Sequence, residues 1–248
     1  MSALPILFQD EHLVAIHKPA GWLVHRTGLD AGETRFVVQT LRDQLGQPVY
    51  PVHRLDKGTS GVLIMALSSA VARALALQFE HHLVTKTYLA WVRGWPEDHF
   101  EVDHPLLRED APPEQAAQEA FTTFECLARL ELPIPVDRYP STRVALLHAR
   151  PTTGRRHQIR RHLKHVSHPI IGDSTHGKGA HNRWWAHRLG VNRLWLHALR
   201  LSITHPVTQV QTAWESSLTH PANADWRHLL TEDWTIREDG LALLQTAR

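Results

Sequence analysis

Residues 51–68, PVHRLDKGTSGVLIMALS, hold a single carboxylate, Asp56, with Arg54 and Lys57 as near neighbours. A Gly-Thr-Ser-Gly turn and an apolar run follow it. An acid so placed has two uses. It can accept hydrogen bonds from the backbone amides of its own turn, the ordinary fate of Asp in Gly/Ser turns. Alternatively it can act as a catalytic carboxylate, a nucleophile or a stabiliser of developing positive charge. This stretch alone leaves both open.

Two further groupings could carry chemistry. His157, His162, His165 and His168 lie close in sequence, with His176 and His181 after them. Neutral imidazole is the commonest metal ligand. Yet no Asp or Glu stands among the first four, the H-E-x-x-H spacing is absent, and arginines crowd them. So much positive charge opposes a cation, and hydrogen-bonding histidines are the simpler reading. The stretch GDSTHGKG, residues 172–179, fits G-x-x-x-x-G-K and resembles a phosphate-cradling loop. Its next position is Gly179, where such loops need a hydroxyl for magnesium, so a tight turn near a nucleic-acid backbone fits better.

Charge is segregated along the chain. From Arg138 to Trp214 there are 13 Lys/Arg against one acid, Asp173, whereas residues 96–137 carry 11 acids against Arg108 and Arg129. The basic block has the signature of a polyanion-binding face, provided that folding does not intersperse the two blocks. A chain of 248 residues buries enough surface to fold without disulfides or structural metal. The lone Cys126 and a start lacking a basic, apolar leader point to a reducing, cytoplasmic setting. The longest apolar run, Val62 to Leu67, is too short to span a bilayer.

The elements that must position these groups follow from periodicity. ILFQDEHLVAIHKPAG reads as two short strands around a turn, and GVLIMALS as a strand covered on both faces. Ser68 or Ser69 can cap a helix whose Val71, Leu75, Phe79 and Leu83 recur every fourth residue. KTYLAWVRG and TRVALLHAR read as strands, and RLWLHALRLSITHP as a long late one. Residues 96–120, with four prolines among acids, read as a loop excursion. TTGRRHQIRRHLKHV contains a helix start with Ile159, Leu163 and Val166 inward. In HNRWWAHR, Trp184 and Trp185 either stack on RNA or divide into one core and one surface residue. Without repeats or a linker, one α+β domain over residues 1–248 is the economical reading.

HRLDKGTSG, KTYLA and TGRRHQIRRH, in that order, resemble the pseudouridine synthases of the RluA family, and the likeness runs from ILFQDEH to about residue 206. GRRHQIRRHLKHVSHPIIGDSTHG and DRYPSTR extend it toward members that modify tRNA. The resemblance implies one catalytic domain with a mixed, mostly antiparallel sheet flanked by helices and loops, and no separate N-terminal RNA-binding domain. It implies isomerisation of uridine to pseudouridine, at uridine 65 in the T-stem of tRNA, by a monomer without metal or cofactor. Ribosomal RNA as substrate, or RNA binding without catalysis, are the alternatives.

Under this resemblance Asp56 is the nucleophile and Arg160 the guanidinium that keeps it charged where water is excluded. Tyr88 stacks on the base or assists proton loss from C5, and Ile159 packs on the uracil. Arg54 enters the helix where the uridine leaves. Arg155, Arg156, Arg161, Lys164 and Arg183, all in the basic block, are the candidate RNA contacts.

Overall fold

A computed structural model describes residues 3–25, 32–108, 112, 115–232 and 234–236. In chain order these form β1 (Ile6–Gln9), β2 (Leu13–Lys18), α1 (Val37–Leu45), β3 (Tyr50–Pro51), β4 (Ser60–Ala66) and α2 (Ser69–Glu80). Next come β5 (Thr85–Arg93), β6 (His99–Asp103), β7 (Phe121–Leu132), β8 (Thr142–Pro151), α3 (Gln158–His165) and α4 (Gly179–Leu189). The chain continues through β9 (Leu196–Thr204), β10 (Gln211–Glu215), a short 3-10 turn, α5 (Ala224–Leu229) and β11 (Thr235–Ile236). It divides into two compact units, Met1–Lys86 with His197–Ser216, and Thr87–Leu196 with Ser217–Arg248. Two of the three boundaries fall inside strands, β5 and β9, so no linker composition marks them.

In the first unit β1, β2, β4, β9 and β10 are neighbours in that order, and β3 also pairs with β4. All pairs are antiparallel except β4 with β9, which run parallel at Ser60↔His197 and Gly61↔Ala198. Every residue of β2 and β4 is buried, which is why GVLIM lacks the alternation of a half-solvated strand. Val62, Ile64, Leu201, Ile203 and Trp214 share one cluster with Val71 and Leu75 of α2. Ser68 caps that helix by accepting from the Val71 amide at 3.3 Å. The helix stops at Glu80 because His82 is left-handed (φ 58°), which leaves Leu83, an expected inward residue, 65% exposed.

The second unit is antiparallel, with β5, β8, β7 and β11 adjacent in that order and β6 also on β7. The acidic excursion is therefore not all loop. It contains β6, and its Leu106 and Gln118 bridge to each other. The core is tryptophan-rich. Trp91 meets Trp185 edge-on at 4.4 Å between ring centroids and Trp195 at 5.3 Å, and Trp195 meets Trp226 at 5.1 Å. Trp185 is thus a core residue and Trp184 a half-buried one, under the Arg188 guanidinium at 5.7 Å.

The β7–β8 register also mixes the two charge blocks. It sets Glu125 opposite His148 and Glu131 opposite Arg143. Arg150 then reaches Glu125 at 2.8 Å, and Arg143 reaches Glu131 at 2.8 Å. Arg160, Arg188 and Arg193 also have acid partners, so at least five of the 13 cations between Arg138 and Trp214 are paired among the described residues. The face that the sequence made uniformly basic is therefore confined to fewer residues.

Candidate active site

Asp56 lies just before the turn that feeds β4, and it is half-buried between buried Leu55 and exposed Lys57. The turn closes through the Thr59 amide, which donates to the Asp56 carbonyl at 3.0 Å. Its next carbonyl, that of Lys57, accepts from the Gly21 amide at 2.8 Å and from the Lys18 ammonium at 3.2 Å. Lys18 is fully buried, and its ammonium also donates to Pro19 O at 2.9 Å and Trp22 O at 2.8 Å. A buried ammonium placed on backbone carbonyls ties the segment after β2 to the acid-bearing turn. Nothing in the sequence singles out Lys18 for that task.

The strand beyond the turn is fixed just as firmly. Ser60 and His197 bond at 2.9 Å, His197 reaches Ser216 O at 2.8 Å, and His17 meets the Ser216 hydroxyl at 2.8 Å, all in the interior. Gly61 adopts φ 115°, and a Cβ there would lie 2.1 Å from Ala198 O. The second glycine of GTSG is therefore a steric requirement of the parallel β4–β9 pair.

Around the turn, Lys57 pairs with Glu33 and Arg54 is exposed. His53 accepts from the Ile64 amide at 3.1 Å and stacks on Phe79 at 4.6 Å. Burial, with the Lys86 charge nearby, pushes the His53 imidazole down to about 3, so it stays neutral near pH 7. Burial also pushes the Lys86 ammonium down to about 8. Tyr88 comes two residues later, half-buried on β5 and opposite Ala149 of β8.

In the second unit the loop before α3 is clamped by Gln158. Its side-chain carbonyl accepts from the Thr153 hydroxyl at 2.7 Å and the Arg155 amide at 2.9 Å. Its amide nitrogen donates to Phe121 O at 2.9 Å and to the Thr122 hydroxyl at 3.0 Å. His162, one turn on, bonds Thr122 Oγ1 at 3.0 Å and His104 O at 3.1 Å. Ile159 and Leu163 are buried beside these polar groups as expected, whereas Val166 is the C-cap and only half-buried. The inner face of α3 is thus as much hydrogen-bonded as apolar.

Arg160 is 6% exposed and grips Asp173, itself 1% exposed, with Nε to Oδ2 at 2.7 Å and Nη2 to Oδ1 at 2.9 Å. Asp173 Oδ1 also accepts from the Thr175 and His176 amides at 2.9 and 2.8 Å. Burial raises this carboxyl, but the Arg160 bonds and the two amides outweigh it and hold the group below the usual carboxylate range. The loop behind is equally determined. Asp173 O accepts from the Gly177 amide at 3.0 Å and Asn182 Nδ2 at 2.9 Å, and Asn182 Oδ1 accepts from the Gly172 amide at 2.9 Å. A Cβ on Gly172 would stand 1.7 Å from Arg193 O. The glycines and acid of GDSTHGKG therefore build a holder for an arginine, a role that a phosphate-loop pattern does not suggest.

The expected RNA contacts are distributed along this unit. Arg155 is half-exposed with Nε on Glu119 O at 2.9 Å, and Arg161 reaches Leu107 O at 2.7 Å, so both tie down the acidic excursion. Arg156, Lys164 and Arg183 are exposed, the last lining a cleft of ≈ 400 Å³ beside the Asp173 loop. The histidines have separate partners. His157 faces His176 at 3.2 Å, His165 stacks on His104 at 3.9 Å, and His168 bonds Arg93 O at 2.9 Å. Among the described residues no three His, Cys, Asp or Glu side chains gather as a metal site requires. Among those residues, too, no helix is long and apolar enough to cross a membrane.

Comparison with known proteins bears on this arrangement. A family model described as RNA pseudouridylate synthase matches residues 12–165, which include Asp56, Tyr88 and Arg160. The chain is 53% identical over 212 residues to tRNA pseudouridine synthase C of Yersinia pestis, covering 83% of this chain and 82% of that one. It is 48% identical to the protein of the same name from Vibrio cholerae, covering 92% and 95% of the two chains. Among solved structures, Human RNA Pseudouridylate Synthase Domain Containing 1 shares the fold, with a TM-score of 0.69 and 24% identity over 98% of this chain and 94% of that one.

Proposed function

The chain belongs to the RNA pseudouridylate synthase family, and from that premise we propose that it converts uridine 65 in the T-stem of tRNA to pseudouridine. The observation that carries the tRNA assignment is its likeness to proteins named for tRNA, at 53% identity for the Yersinia pestis protein and 48% for that of Vibrio cholerae. The reaction breaks the N1–C1′ bond, turns the uracil and joins C5 to C1′, releasing the C5 proton while N1 takes one up. It neither oxidises nor hydrolyses, so the proposed mechanism uses no metal or cofactor.

In this reading Asp56 is the nucleophile, and the turn locked by Lys18, Gly21 and Thr59 explains how a half-buried acid is presented without wandering. Arg160 is its charge partner. Tyr88 stacks on the base or assists loss of the C5 proton, Ile159 packs on the uracil, and Arg54 fills the space that the uridine leaves. Extrusion of a base from a stem costs a few kcal/mol. Contacts from Arg155, Arg156, Arg161, Lys164 and Arg183 to phosphates offset that cost. The chain acts as a monomer in this scheme.

Pseudouridine mapping of tRNA and ribosomal RNA from cells with and without the gene tests the substrate. Loss of the modification at tRNA position 65 is the expected result. A loss confined to ribosomal RNA defeats the tRNA assignment.

A further inference from the structure

We propose that Asp173 is a positioning residue for the isomerisation, acting through Arg160. The inference rests on the reading of Arg160 as charge partner of the reacting carboxylate. A guanidinium gripped along its Nε–Nη2 edge is fixed in plane and direction, so its remaining N–H donors point one way only. Asp173 is itself pinned on every side. Two amides hold Oδ1, and Asn182 fixes the backbone on both sides of the residue. The steric limits at Gly172 and Gly177, where a Cβ would meet backbone oxygens at 1.7 and 2.3 Å, allow the loop little freedom. Direction is thus transmitted from α4 through the loop to one guanidinium.

A purely structural role explains this poorly. Gln158 and His162 already anchor α3 by six hydrogen bonds, and Ile159 and Leu163 bury its apolar side. The helix does not need an ion pair to stay in place. Two charges kept out of water are a weak source of stability compared with apolar groups of the same volume. A neutral residue could accept from the Thr175 and His176 amides just as well. What only a carboxylate supplies is a bidentate grip on a guanidinium.

The test is a double-mutant cycle, read as kcat and KM for tritium release from tRNA carrying 5-tritiated uridine, with Asp173→Asn, Arg160→Ala and the pair together. A reacting group displaced by about 1 Å loses on the order of 100-fold. Asp173→Asn should therefore lower kcat by about 10- to 100-fold, with KM within about threefold. In the Arg160→Ala background the same change should have no further effect, because there is no guanidinium left to orient. Wild-type kcat in Asp173→Asn, or a loss that simply multiplies with that of Arg160→Ala, overturns the proposal. If Arg160→Ala itself turns over normally, the failure belongs to the reading of Arg160, and the proposal falls with it. Should Asp173→Asn not fold, Asn182→Ala replaces it in the cycle, since it loosens the loop and keeps both charges. It should lower kcat by about 3- to 10-fold in the wild-type background only, and an unchanged kcat overturns the proposal.

Discussion

Asp56 and Asp173 both sit on glycine-bearing turns close to arginines, but the first is half-buried and the second is 1% exposed. Asp56 is shaped by its backbone: the turn is held through carbonyls, by Lys18, Gly21 and Thr59. Asp173 is held through its carboxylate, each oxygen on Arg160 and one also on two amides. One turn presents an acid, whereas the other uses its acid as a fastener. The difference lies in what surrounds each residue in space, since short-range sequence gives both the same look of an acid among bases and glycines.

The largest expected effect is one that the two turns share. Gly61→Ala and Gly172→Ala each push a Cβ onto a neighbouring carbonyl, of Ala198 and of Arg193. Each should lose about 3–5 kcal/mol. At about 2–4 °C per kcal/mol for a chain of this size, thermal melting should then drop by roughly 6–20 °C. A melt unchanged by either variant would mean that the turn concerned is not confined as described.

The next effect separates the turns. Asp173→Asn breaks a bidentate pair buried on both sides and should cost about 3 kcal/mol. Asp56→Asn, at a half-buried acid, should cost less, about 1 kcal/mol. Denaturant melts of the two proteins compare them directly. Equal losses would erase the distinction.

A smaller effect appears in acid. Asp173 has a depressed folded value, so its contribution is complete above the unfolded carboxyl range and is lost only as pH falls through the folded value. His53, beside the Asp56 turn, is also depressed, to about 3, and works over a different window. Between about pH 6.5 and 3 the unfolded chain binds a proton there that the native state refuses, so stability falls as pH falls. His53→Gln should flatten the slope between pH 4 and 6 by up to about 1.4 kcal/mol per pH unit. An unaltered slope would show that His53 is not kept neutral.

The mildest test concerns the basic face. With Arg143, Arg150, Arg160, Arg188 and Arg193 paired to acids, the phosphate contacts should come from Arg155, Arg156, Arg161, Lys164 and Arg183. Five contacts predict a log–log salt slope for tRNA affinity of about −4. A slope near −10 would mean that the whole basic block meets RNA.

Much of the first unit could be read from the chain because its signals are local. The continuous apolar run of β4, the Ser68 cap and the four-residue spacing through Leu75 all survive in three dimensions. In the second unit β5 and β8 were legible, but β7 was not. A bulge between Cys126 and Ala128 buries Cys126, Leu127 and Ala128 in succession, which breaks the alternation that Glu125, Arg129 and Glu131 otherwise keep on the outward face. The candidate site divides in the same way. Asp56, Tyr88 and Arg160 stand in motifs that resemblance can find, and the matched family region includes them. Lys18 and Asp173 also lie within the resembling stretch, but their tasks could not be read from it, because their partners are backbone carbonyls and a guanidinium that nothing in local sequence marks. The same is true of the charge blocks, which strand register partly interleaves.

The proposed isomerisation rests on the acid that the GTSG turn presents. Asp56→Asn, assayed for tritium release from tRNA carrying 5-tritiated uridine, tests it most directly. No detectable release is expected, with tRNA affinity within about threefold of wild type. Release at more than about a tenth of the wild-type rate would contradict it.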